Sequence, residues 1–211
     1  ICIQEILESE SNKEGKHDKF NRVDIKVKNK NGELILIEIQ FQRQLDYLQR
    51  LLYGTAKTIT EHVHEGEPYA GVPKVISISI MYFDLGQGED YIYKGTTSFR
   101  GLHTNDELSL SEGQKSLFRR NAVSDIYPEY YIIKINRFND IAKDTLDEWI
   151  YFLKHEEIKP NFTAKGLKEA EEKLSIMKLP ENERKEYESY QEDLHYQASM
   201  FESSYSIGYY E

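Results

Sequence analysis

The chain lacks the features that mark secreted and membrane proteins. It holds a single cysteine, Cys2, so no disulfide can form within it, and it contains no apolar run long enough to span a bilayer. No signal-peptide pattern stands at its start. These absences predict a cytoplasmic location and no membrane partner. Because the first residue is Ile rather than Met, we also expect the sequence to be a fragment of a longer chain.

Positive charge is also scarce. The chain has 27 Lys and Arg against 37 Asp and Glu, for a formal net charge of −10. That balance disfavours a general nucleic-acid binder, which is usually basic. The excess of negative charge is unevenly distributed along the chain, however, since residues 1–60 contain ten Lys and Arg against nine Asp and Glu. The acidity therefore does not exclude contact with nucleic acid in this first segment.

What the sequence does have is alternation between strand and helix patterns. Short apolar or alternating segments predict strands at 2–8, 20–29, 33–42, 72–83, 90–100 and 127–138, although residues 4–7 could equally end a helix. The segment 72–83 is apolar enough to be a central strand buried on both faces. Apolar residues every three or four positions predict helices from Gln44 and at 144–155, whereas 9–19 and 101–125 are expected to be irregular. This order predicts an α/β fold with a mixed sheet flanked by helices.

The first predicted helix is expected to pack on the sheet through one apolar stripe. The stripe consists of Leu45, Leu48, Leu52, Ala56, Ile59 and Val63.

The pattern changes after residue 155. We expect a core domain at 1–155 and a helical C-terminal extension at 156–211, in which Pro180 separates two helical stripes. The second stripe, between Tyr187 and Tyr205, is rich in tyrosine. It is interpreted as a helix-packing face, with self-association as the alternative.

The segment FNRVDIKVKNKNGELILIEIQFQ, residues 20–42, predicts a hairpin whose turn can close in two ways. A two-residue type I′ turn at Asn31 and Gly32 sets Asp24 and Glu38 on opposite faces. A three-residue loop with Gly32 in the left-handed conformation pairs Asn29 with Glu33, and Asp24 then lies opposite Glu38.

Side-chain patterning favours the three-residue loop, because only that register gathers the Val and Ile residues of both strands on one face. Directly opposed residues have Cβ atoms about 4.5–5.5 Å apart, so Asp24 and Glu38 repel each other unless a positive charge lies between them. A divalent cation such as Mg²⁺ is the simplest candidate. From the pattern alone, a solvent-exposed strand face remains the competing interpretation.

Asp24, thirteen further residues and then Glu38-Ile39-Gln40, followed by a helix containing LQRLLYG, resemble the PD-(D/E)XK nuclease superfamily. The resemblance is closest to the recombination-promoting nuclease and putative transposase branch, in which the last motif position is commonly Gln. It covers residues 20–138 and extends less clearly to 6–8. It implies a restriction-endonuclease-like fold, metal-dependent cleavage of DNA and an N-terminal helix that this fragment lacks.

The resemblance also implies residue roles. Asp24 and Glu38 match the metal-binding acids, and Gln40 matches the position that is Lys in most of the superfamily. Arg50 matches an arginine of the following helix and is expected to contact phosphate or to brace the acids. Lys26, on the same strand face as Asp24, is a candidate to supply the missing positive charge. The implied reaction is in-line attack on a phosphodiester by water whose pKa a bound Mg²⁺ or Mn²⁺ lowers.

Two functions remain open. The first is a metal-dependent DNA endonuclease linked to transposition or recombination, which the Asp24 and Glu38 pair favours. The second is a catalytically inactive relative that binds nucleic acid or a protein partner. The net acidity and the Gln at position 40 favour this second function.

Overall fold

The computed structural model describes residues 3–7 and 25–178, without the side chains of Ile176 and Met177. Several predictions lie outside these residues: the loop at 9–19, the position of Asp24, the interruption at Pro180, and the tyrosine-rich stripe with its proposed self-association.

Six strands and four helices make up the described chain. The strands are β1 (Ile3–Leu7), β2 (Ile25–Asn29), β3 (Leu34–Gln40), β4 (Val75–Met81), β5 (Ile92–Gly95) and β6 (Glu129–Lys134). The helices are α1 (Tyr47–Glu61), α2 (Glu112–Phe118), α3 (Thr145–His155) and α4 (Leu167–Met177), with single 3-10 turns at 69–71, 123–125 and 135–137.

The strands form one mixed sheet in the order β1-β2-β3-β4-β6-β5. β3, β4 and β6 run parallel, whereas β1, β2 and β5 pair antiparallel with their neighbours. Strand β4 lies in the middle, with six of its seven residues buried, as its apolar sequence predicts. The α/β class and the mixed sheet are confirmed, and they are consistent with a restriction-endonuclease-like fold.

The β2–β3 hairpin closes through the three-residue loop. Ile25 pairs with Ile37, and the Asn29 amide donates to the Glu33 carbonyl at 3.0 Å. Gly32 has φ +76°, the left-handed conformation that this turn requires. The Asn29 side-chain oxygen also accepts from the Asn31 and Glu33 amides at 2.9 Å. The predicted register is therefore confirmed in the described part of the hairpin.

The predicted packing stripe of α1 is only partly right: Ile59 packs against the core residues Leu34 and Leu36, whereas the leucines of the stripe remain exposed. Leu45, Leu48 and Leu52 are 87%, 53% and 63% exposed, and Ala56 is exposed too. The face that packs on the sheet lies about one residue earlier along the helix and comprises Tyr47, Leu51, Gly54, Thr55 and Thr58. Gly and Thr are small enough to bring the helix backbone close to the sheet, and the helix uses that face instead of its leucines.

The segment 101–125 is not wholly irregular. It contains the short helix α2, whose first turn is closed by a capping box between Ser111 and Gln114. The Ser111 side chain accepts from the Gln114 amide, and the Gln114 side chain accepts from the Ser111 amide.

The chain divides into two compact units between Asn139 and Asp140. In the second unit, Phe152, Ala164 and Leu167 form a small apolar core. The predicted boundary after residue 155, between a core domain and a helical extension, stays a prediction. None of the helices in the described ranges combines the length and apolarity needed to cross a bilayer.

Candidate functional site

Glu38 is the centre of the candidate site. Along β3, Leu34, Leu36, Glu38 and Gln40 occupy alternate positions and therefore share one face of the sheet. That face is covered by α1, and Glu38 is only 5% exposed. The alternative interpretation of Glu38 as part of a solvent-exposed strand face does not hold.

Tyr47, the first residue of α1, holds the Glu38 carboxylate. Its hydroxyl donates to Glu38 Oε2 at 3.0 Å, and its side chain is completely buried. Met81, Leu51 and Phe83 surround it, and the Phe83 ring meets it edge-on at 6.2 Å. A buried carboxylate needs polar partners to offset its lost hydration, and this hydrogen bond is one of them.

The same surroundings keep Tyr47 in its neutral form. Burial raises the pKa of the Tyr47 hydroxyl well above its usual range, and the negative charge of Glu38 raises that pKa further. The nearby Ser79 hydroxyl opposes this rise to a smaller extent, although its geometry falls short of a hydrogen bond. Tyr47 is therefore a hydrogen-bond donor to Glu38 at physiological pH and does not act as a base.

Ser79 and Gln40 add two further oxygen atoms to this face. Ser79 pairs directly with Glu38 across the parallel β3–β4 ladder and is fully buried. Its hydroxyl has no hydrogen-bond partner among the described residues. Gln40 lies two residues beyond Glu38 at the end of β3 and is half-buried. A buried hydroxyl without a partner beside a carboxylate is an arrangement that a hard cation or its bound water satisfies.

Arg50 lies one turn into α1 from Tyr47. Its guanidinium donates to the Gln44 side-chain oxygen at 3.1 Å and lies 6.0 Å from the centre of the Tyr47 ring. Its Nε is buried and has no hydrogen-bond partner within the described ranges. Arg50 thus contributes a positive charge beside the tyrosine that holds Glu38. It lies beside the Tyr47 ring, whereas its predicted contact with phosphate stays a prediction.

Lys26 lies on the same sheet face but is engaged elsewhere. It pairs with Leu36 in the ladder, and its ammonium lies 3.4 Å from the carboxylate of Glu61, the last residue of α1. A contact between Lys26 and phosphate stays a prediction, and it requires this ion pair to open.

The predicted site is brought together only in part by the described residues. Glu38 and Gln40 share the α1 face with Ser79, and Arg50 is near through Tyr47, while Asp24 lies outside the described residues. Within residues 3–7 and 25–178, no group of three or more His, Cys, Asp or Glu side chains could hold a metal ion. Tyr47 and Ser79 were not predicted from the sequence.

The donor set of the site nevertheless suits a hard divalent cation. Mg²⁺ takes oxygen ligands and is usually bound by one or two carboxylates, with waters and substrate phosphates completing the shell. Glu38 supplies a carboxylate, Gln40 an amide oxygen and Ser79 a hydroxyl without a partner. The residues present therefore fit a cation whose remaining ligands come from water, substrate and a second acid.

Comparison with known proteins gives one match. A family model described as PD-(D/E)XK nuclease family transposase matches residues 1–118, which include the hairpin and all of α1. No curated protein and no solved structure matches the chain significantly. The mixed sheet with its helices is consistent with a restriction-endonuclease-like α/β protein. The chain belongs to the PD-(D/E)XK nuclease family transposases.

Proposed function

We propose that this protein is a metal-dependent DNA endonuclease that hydrolyses phosphodiester bonds during transposition or recombination. Asp24 and Glu38 hold Mg²⁺ or Mn²⁺, and Gln40 assists them. The observation that carries this proposal is the burial of Glu38 beneath α1, where the Tyr47 hydroxyl fixes it. A carboxylate on a solvent-exposed strand face would remain in water.

The hairpin register supports pairing of the two acids. Ile25 is paired with Ile37 in the antiparallel ladder, and Asp24 precedes Ile25 just as Glu38 follows Ile37. We propose that the pairing continues by one step, so that Asp24 lies opposite Glu38. Directly opposed residues have Cβ atoms about 4.5–5.5 Å apart. Two carboxylates at that separation repel each other, and a divalent cation between them removes the repulsion.

Each residue of the site then has a role. A bound divalent cation supplies Lewis-acid activation of water and neutralises charge on the phosphate. Glu38 helps to hold the cation, and Tyr47 fixes the rotamer of Glu38 through its hydrogen bond. Gln40 donates a hydrogen bond to the attacking water or offers its carbonyl oxygen to the cation, because an amide neither carries charge nor acts as a base.

Gln40 also favours a second candidate function. An amide cannot supply the positive charge of the Lys that stands at this position in most of the superfamily, and the chain as a whole carries −10. These two facts support a protein with a nuclease fold that binds nucleic acid or a protein partner without cutting DNA. The experiment below separates it from the endonuclease.

The test measures nicking of supercoiled plasmid in Mg²⁺ and in Mn²⁺. It compares the wild-type chain with Asp24→Asn, Glu38→Gln and the control Glu65→Gln, an exposed acid in the same compact unit. Lewis-acid stabilisation is worth several kcal/mol, so we expect either site variant to lose at least about 100-fold in rate. The control is expected to cut at the wild-type rate, and chelation of the metal is expected to stop cutting in every sample.

Equal rates in the wild type and both site variants would rule out these acids as metal ligands. A wild-type chain that binds DNA but never nicks it, in either metal, would establish the non-cutting alternative. Both site substitutions preserve side-chain size, so the variants are expected to fold. Circular dichroism of each variant checks that the fold is retained.

A further inference from the structure

A stacked aromatic pair lies at the carboxyl end of the parallel strands. Phe41 directly follows β3 and Tyr82 directly follows β4. Their ring centres are 4.5 Å apart and the rings are inclined by only 16°. The Tyr82 amide donates to the Gln40 carbonyl at 2.9 Å, and this bond ties the two strand ends together. The pair is therefore built into the sheet just beyond the candidate site.

Phe41 remains open to solvent in spite of this stacking. Its side chain is 69% exposed, although a phenylalanine at the end of a central strand would ordinarily be covered. Tyr82 covers one side of the ring, and most of the remaining aromatic surface faces water. An aromatic ring held in a fixed orientation with accessible surface is suited to stacking on another flat ring.

Positive side chains surround this end of the sheet. Arg137 forms a two-point ion pair with Asp84, through Nε at 2.8 Å and Nη2 at 3.0 Å, and both side chains are about half exposed. The hydrogen bond and charge of Arg137 lower the pKa of Asp84, and the buried Lys134 and the exposed Arg43 lower it further to a smaller extent. Arg137 and Arg43 thus place exposed positive charge near the ends of β3 and β4, in a chain whose net charge is −10.

We propose that Phe41 and Tyr82 form a stacking platform for an unpaired base of the DNA strand bound at the candidate site. The proposal rests on the proposed function, because it places that strand along the carboxyl ends of β3 and β4. Every base has a flat π face, so a platform of this kind accepts any sequence, while nearby cations neutralise the flanking phosphates. Phe41 directly follows Gln40, so the stacked base lies at the strand end that also carries Gln40 of the candidate site.

The test measures binding without cutting. In buffer containing a chelator, fluorescence anisotropy gives the affinity of the full chain for a labelled oligothymidylate and for an abasic oligonucleotide of the same length. Both probes carry the same phosphates, so the ratio of their affinities isolates the contribution of the bases. Stacking on an aromatic side chain is worth about 5-fold to 150-fold in affinity per base, and we expect the wild-type ratio to fall in or above this range.

Three variants make the test specific. Phe41→Leu is expected to lower the ratio at least about fivefold and to leave affinity for the abasic probe unchanged, because only the ring is lost. Phe41→Tyr is expected to keep the wild-type ratio. Leu45→Ala, which removes an apolar side chain that is 87% exposed, is the matched control and is expected to keep the ratio as well.

An unchanged ratio in Phe41→Leu overturns the proposal. So does an equal fall in Leu45→Ala, or the absence of binding to both probes. The outcome is independent of nuclease activity, since no metal is present. A base-dependent ratio without any plasmid nicking retains the platform and removes the endonuclease, and the reverse result removes only the platform.

Discussion

Replacing Tyr47 by Phe tests the central contact of the site. The substitution removes one oxygen atom from a side chain that is fully buried and donates to a carboxylate that is 5% exposed. A hydrogen bond to a charged group contributes about 1.5–3 kcal/mol, and leaving a buried acceptor without its donor costs a similar amount. We therefore expect Tyr47→Phe to lower the free energy of unfolding by about 2 kcal/mol.

The assay is urea unfolding followed by circular dichroism, in buffer containing a chelator. With a slope of roughly 2 kcal/mol per molar urea, the expected loss lowers the midpoint by about 1 M. Tyr53→Phe is the matched control, because it removes the same atom from the exposed side of the same helix, where Tyr53 is 41% exposed. Its midpoint is expected to stay within about 0.3 M of the wild type, since surface substitutions usually change stability by less than 0.5 kcal/mol.

A double-mutant cycle assigns the loss to the contact with Glu38. In a Glu38→Leu background the tyrosine has no carboxylate to hold, so Tyr47→Phe is expected to cost much less than in the wild type. Because the pKa of Tyr47 is raised, its hydroxyl stays protonated, and the cost is also expected to be the same at pH 6 and at pH 9. A coupling energy below about 0.5 kcal/mol would refute the reasoning.

Two further predictions concern Glu129 in β6 and Gly32 in the β2–β3 turn. Burial tends to raise the pKa of Glu129, but hydrogen bonds from Lys94, Tyr131 and Lys74 outweigh it and lower that pKa from 4.5 to about 2. A depressed carboxyl pKa stabilises the fold above the unfolded value and loses this contribution as pH falls from 4.5 towards 2, so Glu129→Gln is expected to flatten urea midpoints over this window. The shift corresponds to about 3 kcal/mol, which screening by water reduces to roughly 1–2 kcal/mol. Gly32→Ala is expected to lower stability by about 1–2 kcal/mol, because φ is +76° there although no atom lies within 4 Å of an added Cβ. Urea midpoints measure both effects.

Each of these has an outcome that contradicts it. Parallel pH profiles for the wild type and Glu129→Gln would show that the Glu129 ion pairs do not carry the acid sensitivity. For the turn, Gly71→Ala is the control, since Gly71 also has open space at Cβ but no positive φ. Equal effects of the two glycine substitutions would show that the left-handed conformation of Gly32 is not the source of the loss.

The hairpin register could be predicted from the sequence because its determinants are local. An Asn and a Gly fix the turn, and the alternation of Ile and Val on both strands excludes the shifted pairing. The central strand β4 could also be predicted, since it is apolar on one face and carries only small or apolar residues on the other. The capping box of α2 has a local signal too, the spacing of Ser111 and Gln114, although residues 101–125 were predicted to be irregular.

The packing face of α1 could not be predicted from apolar spacing. The leucines at 45, 48 and 52 give the stronger helical stripe, yet the helix buries Tyr47, Leu51 and Thr55. A signal for the true face existed in the small residues: Gly54 and Thr58 fall on the helix side where Tyr47 also lies. Small residues on one side of a helix indicate that this side packs closely against another element. The sequence of α1 alone does not show that this element is the sheet.

The burial of Glu38 depends on that same choice of face. A polar residue alternating with Ile ordinarily indicates a strand side in water, although Leu34 and Leu36 on the same side of β3 indicate that the side is covered at its start. The helix overrides the pattern, since turning Tyr47 towards the sheet brings a hydroxyl donor to the carboxylate and covers it. Had the leucine stripe packed inward, Glu38 would have faced apolar side chains without a donor, at a cost of several kcal/mol. The burial of Glu38 in β3 and the packing face of α1 therefore depend on each other. For that reason, neither could be predicted from its own segment of the sequence.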